Sequence, residues 1–186
     1  MAEIHPFYHV KLICSIISSK KQYFEKGENK LKILYGEIDA ESPLFPFQLT
    51  DYYEKQMGTN LKRKFISFSN LINPEQLSEI KIQTNKLEEE IRKEYSSNLR
   101  IINLDPGYLK ESALIMATAK DFSHRIPLKN GIYGHLEFLF GKNKVRLLDW
   151  TYPDFKSRDY QNFFIHVRNL YLTTKRTESK EAGSSG

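Results

Sequence analysis

The segment Val10-Lys11-Leu12-Ile13-Cys14-Ser15-Ile16-Ile17 constrains the fold more than any other part of the chain. It is β-branched and apolar at odd and even positions alike, so as a strand it has no face to give to water. The reading is a central strand covered on both faces.

The elements that follow can supply the cover. Ser18 or Ser19 offers an N-cap, Tyr23, Phe24, Leu31 and Leu34 recur at helical spacing, and Gly36 closes the helix. Gly27 inside it costs about 1 kcal/mol relative to Ala. Leu44 to Leu49 reads as a strand with Phe45, Phe47 and Leu49 on one face, and Pro46 places it at an edge. Phe65 to Phe68 is a further strand. The second helix has the fullest signal. Asn73 caps it, Pro74 takes the first helical position, and Gln76 sits where a capping-box partner belongs. Leu77, Ile80, Thr84, Leu87, Ile91 and Tyr95 form its apolar stripe. Arg100 to Leu104 reads as a strand ended by the turn Asp105-Pro106-Gly107.

The order β-α-β-β-α-β predicts an α+β fold, a mainly antiparallel sheet with a ferredoxin-like core. Ser112 to Lys120 is ambiguous, with a short helix as its reading. A β-meander and a closing helix complete the chain. In that helix Tyr160, Phe163, Phe164, Val167, Leu170 and Tyr171 share a face, and Ser157 is the cap.

Register in the meander follows from the buried face. A three-residue loop, Lys129-Asn130-Gly131, puts Phe122, Ile126, Leu128, Ile132, Leu136, Phe138 and Phe140 together, whereas an Asn130-Gly131 turn divides them. His124 then falls on the core face opposite Leu136. Arg125 falls on the solvated face, opposite His135 and diagonal to Glu137.

At 186 residues, the chain suits one domain over residues 1–174, with the polar stretch 175–186 expected to be a disordered tail. No apolar run approaches the roughly 18–20 residues of a membrane span. No signal peptide is visible and only one cysteine is present, so a cytoplasmic setting is expected. The net charge is +5, but Lys and Arg are interleaved with 23 acidic residues. That pattern favours a solvated mixed surface over a track for nucleic acid.

Familiar catalytic signatures are absent. There is no phosphate loop, no dinucleotide fingerprint, no His-Glu-x-x-His and no nucleophile elbow, and no His is followed two residues on by Ser or Thr. Asn85-Lys86-Leu87-Glu88 echoes a guanine-reading motif but carries Glu for Asp and lies mid-helix. Cys14, in an apolar strand, reads as inert.

Four polar-aromatic clusters remain: Thr50-Asp51-Tyr52-Tyr53, Asn103 to Tyr108, Asp121 to Arg125, and Trp150 to Phe155. Each also has a structural reading as a turn or packing motif. If they converge, they supply carboxylates, a near-neutral base and a guanidinium. His124, Asp105 and Asp154 are then the candidate catalytic groups, and Asp51, Tyr52, Arg125 and Trp150 the candidate ligand-binding ones. A metal held by Asp51, Asp105, His124 and Asp154 has no ligand spacing to support it, and no cofactor is indicated.

The runs from Pro46 (Pro-Phe-x-x-Thr-Asp-Tyr-Tyr-Glu), Asn103 (Asn-Leu-Asp-Pro-Gly-Tyr), Lys120 (Lys-Asp-Phe-Ser-His-Arg-Ile) and Trp150 (Trp-Thr-Tyr-Pro-Asp-Phe) resemble a family of bacterial proteins of unknown function. The resemblance runs from about Val10 to Tyr171. Members sometimes carry the label "GTP-binding protein", but this chain lacks the phosphate loop and guanine-reading Asp that such a label requires. The resemblance implies a bacterial cytoplasmic setting and assigns no activity. The functional expectation is binding of a small anionic ligand, with a nucleotide in view, and hydrolytic or transfer chemistry at the clusters. The rival is a non-catalytic module that binds protein or nucleic acid through its basic surface.

Overall fold

The computed structural model describes residues 3–47, 56–142 and 144–183. Its described strands form one open, antiparallel, nine-stranded sheet, ordered β2-β4-β1-β5-β6-β8-β7, with β3 on β4 and β9 on β8. In chain order they are β1 (Val10–Ser18), β2 (Ile38–Glu41), β3 (Phe45–Pro46), β4 (Lys62–Ile72), β5 (Ile102–Lys110), β6 (Ala113–Thr118), β7 (Ile126–Pro127), β8 (Tyr133–Phe140) and β9 (Val145–Leu147). Helices α1 (Lys21–Tyr35), α2 (Leu77–Glu94) and α3 (Arg158–Gly183) accompany them. Among the described residues no helix is long and apolar enough to cross a membrane.

Strand β1 is buried along its whole length between β4 and β5. Its alternate residues feed two cores. Leu12, Cys14 and Ile16 meet Phe24 and Leu31 of α1 and Ile80, Leu87 and Ile91 of α2. Ile13, on the other face, joins the core that Phe163, Phe164 and Val167 of α3 share with Phe65 of β4. The run with no polar face thus receives helices on both sides.

Local chemistry sets the helix ends. Asn73 accepts from Glu75 N, and Gln76 returns a bond to Asn73 N, so the expected capping box forms, on a 3-10 turn that leads into α2. Ser157 Oγ accepts from Tyr160 N as the expected cap of α3. The cap of α1 differs. Lys20 occupies it without a side-chain bond, because Ser18 Oγ donates to Ile101 O across the sheet. Gly27 has a packing reason, since a Cβ there would lie 2.7 Å from Ile102 Cδ1. Replacing Leu87 by Ala is expected to destabilise the fold by about 2–4 kcal/mol, because the side chain is buried between α2 and the sheet. Chemical denaturation checks this, and a loss below about 1 kcal/mol would mean that the site relaxes around the deletion.

Helix α3 runs on to Gly183. Three expectations are corrected. Residues 113–118 form β6, not a helix, because pairing with β5 and β8 overrides the helix-forming Ala, Leu and Met. The edge strand is confined to Phe45–Pro46, while Leu49 lies outside the described residues. The meander keeps the three-residue loop, closed by Leu128 N to Ile132 O at 2.8 Å, yet Phe122, Ile126 and Leu128 are exposed.

Candidate functional site

Strand β5 pairs with β1 from Ser18↔Ile102 to Lys11↔Leu109, but with β6 only from Gly107↔Met116 to Lys110↔Ala113. Strand β6 meanwhile stays with β8 as far as Thr118↔Tyr133. Between Ile102 and Pro106, before the β5–β6 pairing starts, the sheet therefore parts. Leu104 shows how this is tolerated. Its N–H donates to Glu88 Oε1 at 2.7 Å, and its carbonyl accepts from Lys81 Nζ at 2.8 Å. Two side chains of α2 satisfy the backbone groups that a neighbouring strand would otherwise bind. Pro106 faces the same side two residues on, so its missing N–H forfeits no ladder bond. The expected turn at Asp105-Pro106-Gly107 is thus a continuous strand. Gly107 permits the first contact with β6, since a Cβ there would lie 2.5 Å from Ile115 O and 2.5 Å from Met116 Sδ.

A cleft of about 280 Å³ opens at the split. On one wall Lys81 Nζ, nearly buried, reaches Asp105 Oδ1 at 2.8 Å, and Asn103 Nδ2 donates to Asp105 Oδ2 at 2.5 Å. Arg100 braces Asn103 and pairs with Glu88 at 2.6 Å. Burial raises the Asp105 pKa, but Lys81, Asn103 and Arg63 outweigh it and hold the carboxyl below its ordinary value of 3.8. Burial prevails at Glu88, whose pKa rises despite Arg100 and Lys81.

A pH dependence follows from the lowered value at Asp105. Its contribution to stability is fully present above pH 3.8 and fades as pH falls through the lower folded value. The melting-temperature gap between wild type and Asp105→Asn is therefore expected to shrink on acidification below that point. A gap that widens there contradicts the ion-pair assignment.

The opposite wall is built on a β-bulge. Strand β8 pairs Phe138 with Leu114 and Leu136 with Ile115, leaving Glu137 without a partner. The bulge breaks the alternation on which the expected register of faces depended. His135 and Glu137, assigned by alternation to a solvated face, are 1% and 0% exposed and line the cleft. The segment after β9 clamps this irregular backbone. Trp150 Nε1 donates to Leu136 O at 2.8 Å, Thr151 Oγ1 to Glu137 O at 2.5 Å, and Tyr152 N to Glu137 Oε1 at 2.7 Å. Two residues on, Asp154 pairs with Arg63 of β4, both nearly buried.

The imidazole of His135 meets two partners at one nitrogen. Arg125 Nε, which can only donate, lies 3.4 Å from His135 Nδ1, and His124 Nε2 lies 3.1 Å from the same atom. When Nδ1 accepts from Arg125, the neutral ring carries its proton on Nε2. That atom lies 3.1 Å from Glu137 Oε2 but is misaligned for a hydrogen bond, so both atoms remain without a bonded partner.

A second, more open pocket adjoins the cleft, and His135 and Tyr152 line both. The sequence-derived candidates divide between them. Asp105 and Asp154 face the cleft, while His124, Arg125 and Trp150 line the outer pocket. Asp51 and Tyr52 lie outside the described residues. His124 does not sit among Leu136 and Phe138 as expected. Strand β7 begins only at Ile126, and a turn closed by Arg125 N to Phe122 O sends His124 and Arg125 together onto His135. Burial, His135 and Arg125 lower the His124 pKa. Arg125 bonds Tyr152 Oη at 2.6 Å rather than Glu137.

Sequence reasoning missed Ser15, Arg63, Lys81, His135 and Glu137. Two of these carried a signal. Lys81 lies four residues after Leu77 on the buried flank of α2, and Arg63 alternates with the buried Phe65 and Ser67. The bulge at Glu137 left no mark in the pattern.

Residues 8–171 match the family described as "Domain of unknown function (DUF4416)", and the chain belongs to that family. No curated protein and no solved structure matches the chain.

Proposed function

We propose, for this member of a family whose description assigns no activity, that the cleft at the β5–β6 split binds a small anionic ligand and that His135 with Glu137 serves it as an acid–base pair. One observation carries the reading. Among the described residues, five buried side-chain atoms make no well-aligned hydrogen bond: Glu28 Oε1, which lies 2.8 Å from Lys64 Nζ, and Ser15 Oγ, Arg63 Nε, His135 Nε2 and Glu137 Oε2, which all belong to side chains lining this cleft. Unpaired buried polar groups are costly and rare, so their concentration at one concavity points to a ligand. Arg63 Nε and His135 Nε2 are donors and Ser15 can donate, so the complementary molecule is rich in acceptors. Arg63, Lys81, Arg100 and Lys120 add positive charge to the walls. Glu137 Oε2 is the acceptor beside them, open to a proton on the ligand.

The finer sequence expectations accompany this reading. The order β2-β4-β1-β5, with α1 and α2 on one face, supports a ferredoxin-like unit, to which β6 to β9 and α3 are additions. A single free, buried cysteine supports a cytoplasmic setting. The rival reading, a basic docking face, has less support. Lys26, Lys30, Lys32, Lys64 and Lys129 each pair with glutamate, which compensates their charge locally.

A thermal-shift panel of sugar phosphates, nucleotides, dicarboxylates and divalent ions tests the proposal, because a ligand bound only by the folded state raises the melting temperature. Ala119 is exposed at the cleft mouth, so Ala119→Trp blocks entry without disturbing a core. An anion is expected to stabilise wild type but not the blocked variant. Equal responses in the two proteins, or none in either, would rule the cleft out.

A further inference from the structure

The outer pocket has a chemistry of its own. Two imidazole–aryl pairs stand side by side in it. His124 lies parallel to Trp150, with centroids 5.1 Å apart and planes at 9°, and His135 lies on Tyr152 at 4.9 Å and 29°. The His124 and His135 rings meet edge to face at 4.9 Å, which links the pairs. Phe122, 61% exposed, stands 5.0 Å from His124, and Trp150 is 38% exposed. These rings are held in place. Trp150 is tied to Leu136 O, and the Arg125 guanidinium is fixed by Lys120 O at 2.7 Å and by Tyr152 Oη. The pocket is a shallow, solvent-open concavity of about 480 Å³ that shares His135 and Tyr152 with the cleft.

We infer that this pocket takes a planar heteroaromatic ring belonging to the same ligand whose anionic end occupies the cleft, which makes the ligand class a nucleoside monophosphate or a compound of that form. The inference rests on the cleft reading above. Rigid exposed aromatic faces bind flat π-systems, and an arginine beside them stacks on such rings and donates to their acceptors. An aromatic cage for a methylated ammonium would share the rings, but Arg125 within the pocket would repel that cation. His135 and Tyr152 line both compartments, so the ribose of such a ligand would lie along this shared wall.

Trp150 is the only tryptophan of the chain, so its fluorescence reports on this pocket alone. Titration with the four ribonucleoside monophosphates is expected to quench it saturably for at least one of them, while ribose 5-phosphate binds without quenching. In calorimetry, Trp150→Ala is expected to weaken that nucleotide roughly tenfold to a hundredfold, and ribose 5-phosphate far less, the latter only through loss of the bond to Leu136 O. Phe122→Ala, an exposed site that spares the clamp on the bulge, should weaken the nucleotide in the same selective way. If ribose 5-phosphate binds and no nucleotide binds more tightly or quenches, the ring pocket is refuted and the cleft reading survives. If neither ribose 5-phosphate nor any nucleotide binds, both fall. Equal loss of nucleotide and ribose 5-phosphate in both variants would also overturn the inference.

Discussion

Phe65→Ala is expected to lower the stability of the protein by about 3–5 kcal/mol, the range for a buried phenylalanine. Phe65 is fully buried, and its ring meets Phe155, Tyr160 and Phe164 at centroid distances of 5.5, 4.7 and 4.9 Å, with Phe163 stacked at 5.9 Å. It is the point at which α3 docks on the sheet. The same docking carries Phe155, beside Asp154, so the variant should also loosen the cleft wall. In a chain of this length the loss corresponds to a melting point lower by on the order of 10 °C. Near-native melting would mean that α3 is held mainly by contacts elsewhere.

Asp154→Ala is expected to cost a further large amount, about 3–5 kcal/mol, for an electrostatic reason. The Arg63 guanidinium lies 4.4 Å from the Phe47 ring and 5.5 Å from the Phe155 ring, with its charge matched by the Asp154 carboxylate. Removing that carboxylate leaves a nearly buried cation among aromatic faces. The cation–π attraction offsets only part of the penalty, about 1–2 kcal/mol. Asp154 Oδ1 also accepts from Phe155 N, a bond lost in the same variant. The double variant Arg63→Met with Asp154→Leu should recover most of the stability, since replacing both partners by apolar groups removes the desolvation cost as well. Chemical denaturation of the three proteins separates these effects. If the double variant is no more stable than Asp154→Ala, the penalty arises from packing rather than from the unpaired charge.

The elements whose signals are local were legible in the sequence. The unbroken apolar run of β1, the capping box before α2 and the aromatic stripe of α3 each state their structure within a dozen residues. What could not be read depends on partners distant in the chain. Asp105-Pro106-Gly107 has turn chemistry, and only Glu88 and Lys81, supplied from α2, make it acceptable as a strand at the split. Ala113 to Thr118 becomes a strand because two neighbours pair with it. At the site, the polar-aromatic clusters pointed to Asp105, Asp154, His124, Arg125 and Trp150, which lie around two adjoining pockets. The groups between them, His135 and Glu137, were hidden by a one-residue bulge that a strict two-residue period cannot express.

The central claim is that an anion meets the cleft donors that make no hydrogen bond within the protein. Side-chain NMR of the arginine Nε–H and histidine imidazole groups during titration with ribose 5-phosphate tests it most directly. Saturable shifts are expected at Arg63 and His135, with the exposed His5, His9 and His166 unmoved. Binding that leaves Arg63 and His135 unchanged while perturbing groups elsewhere would contradict the account.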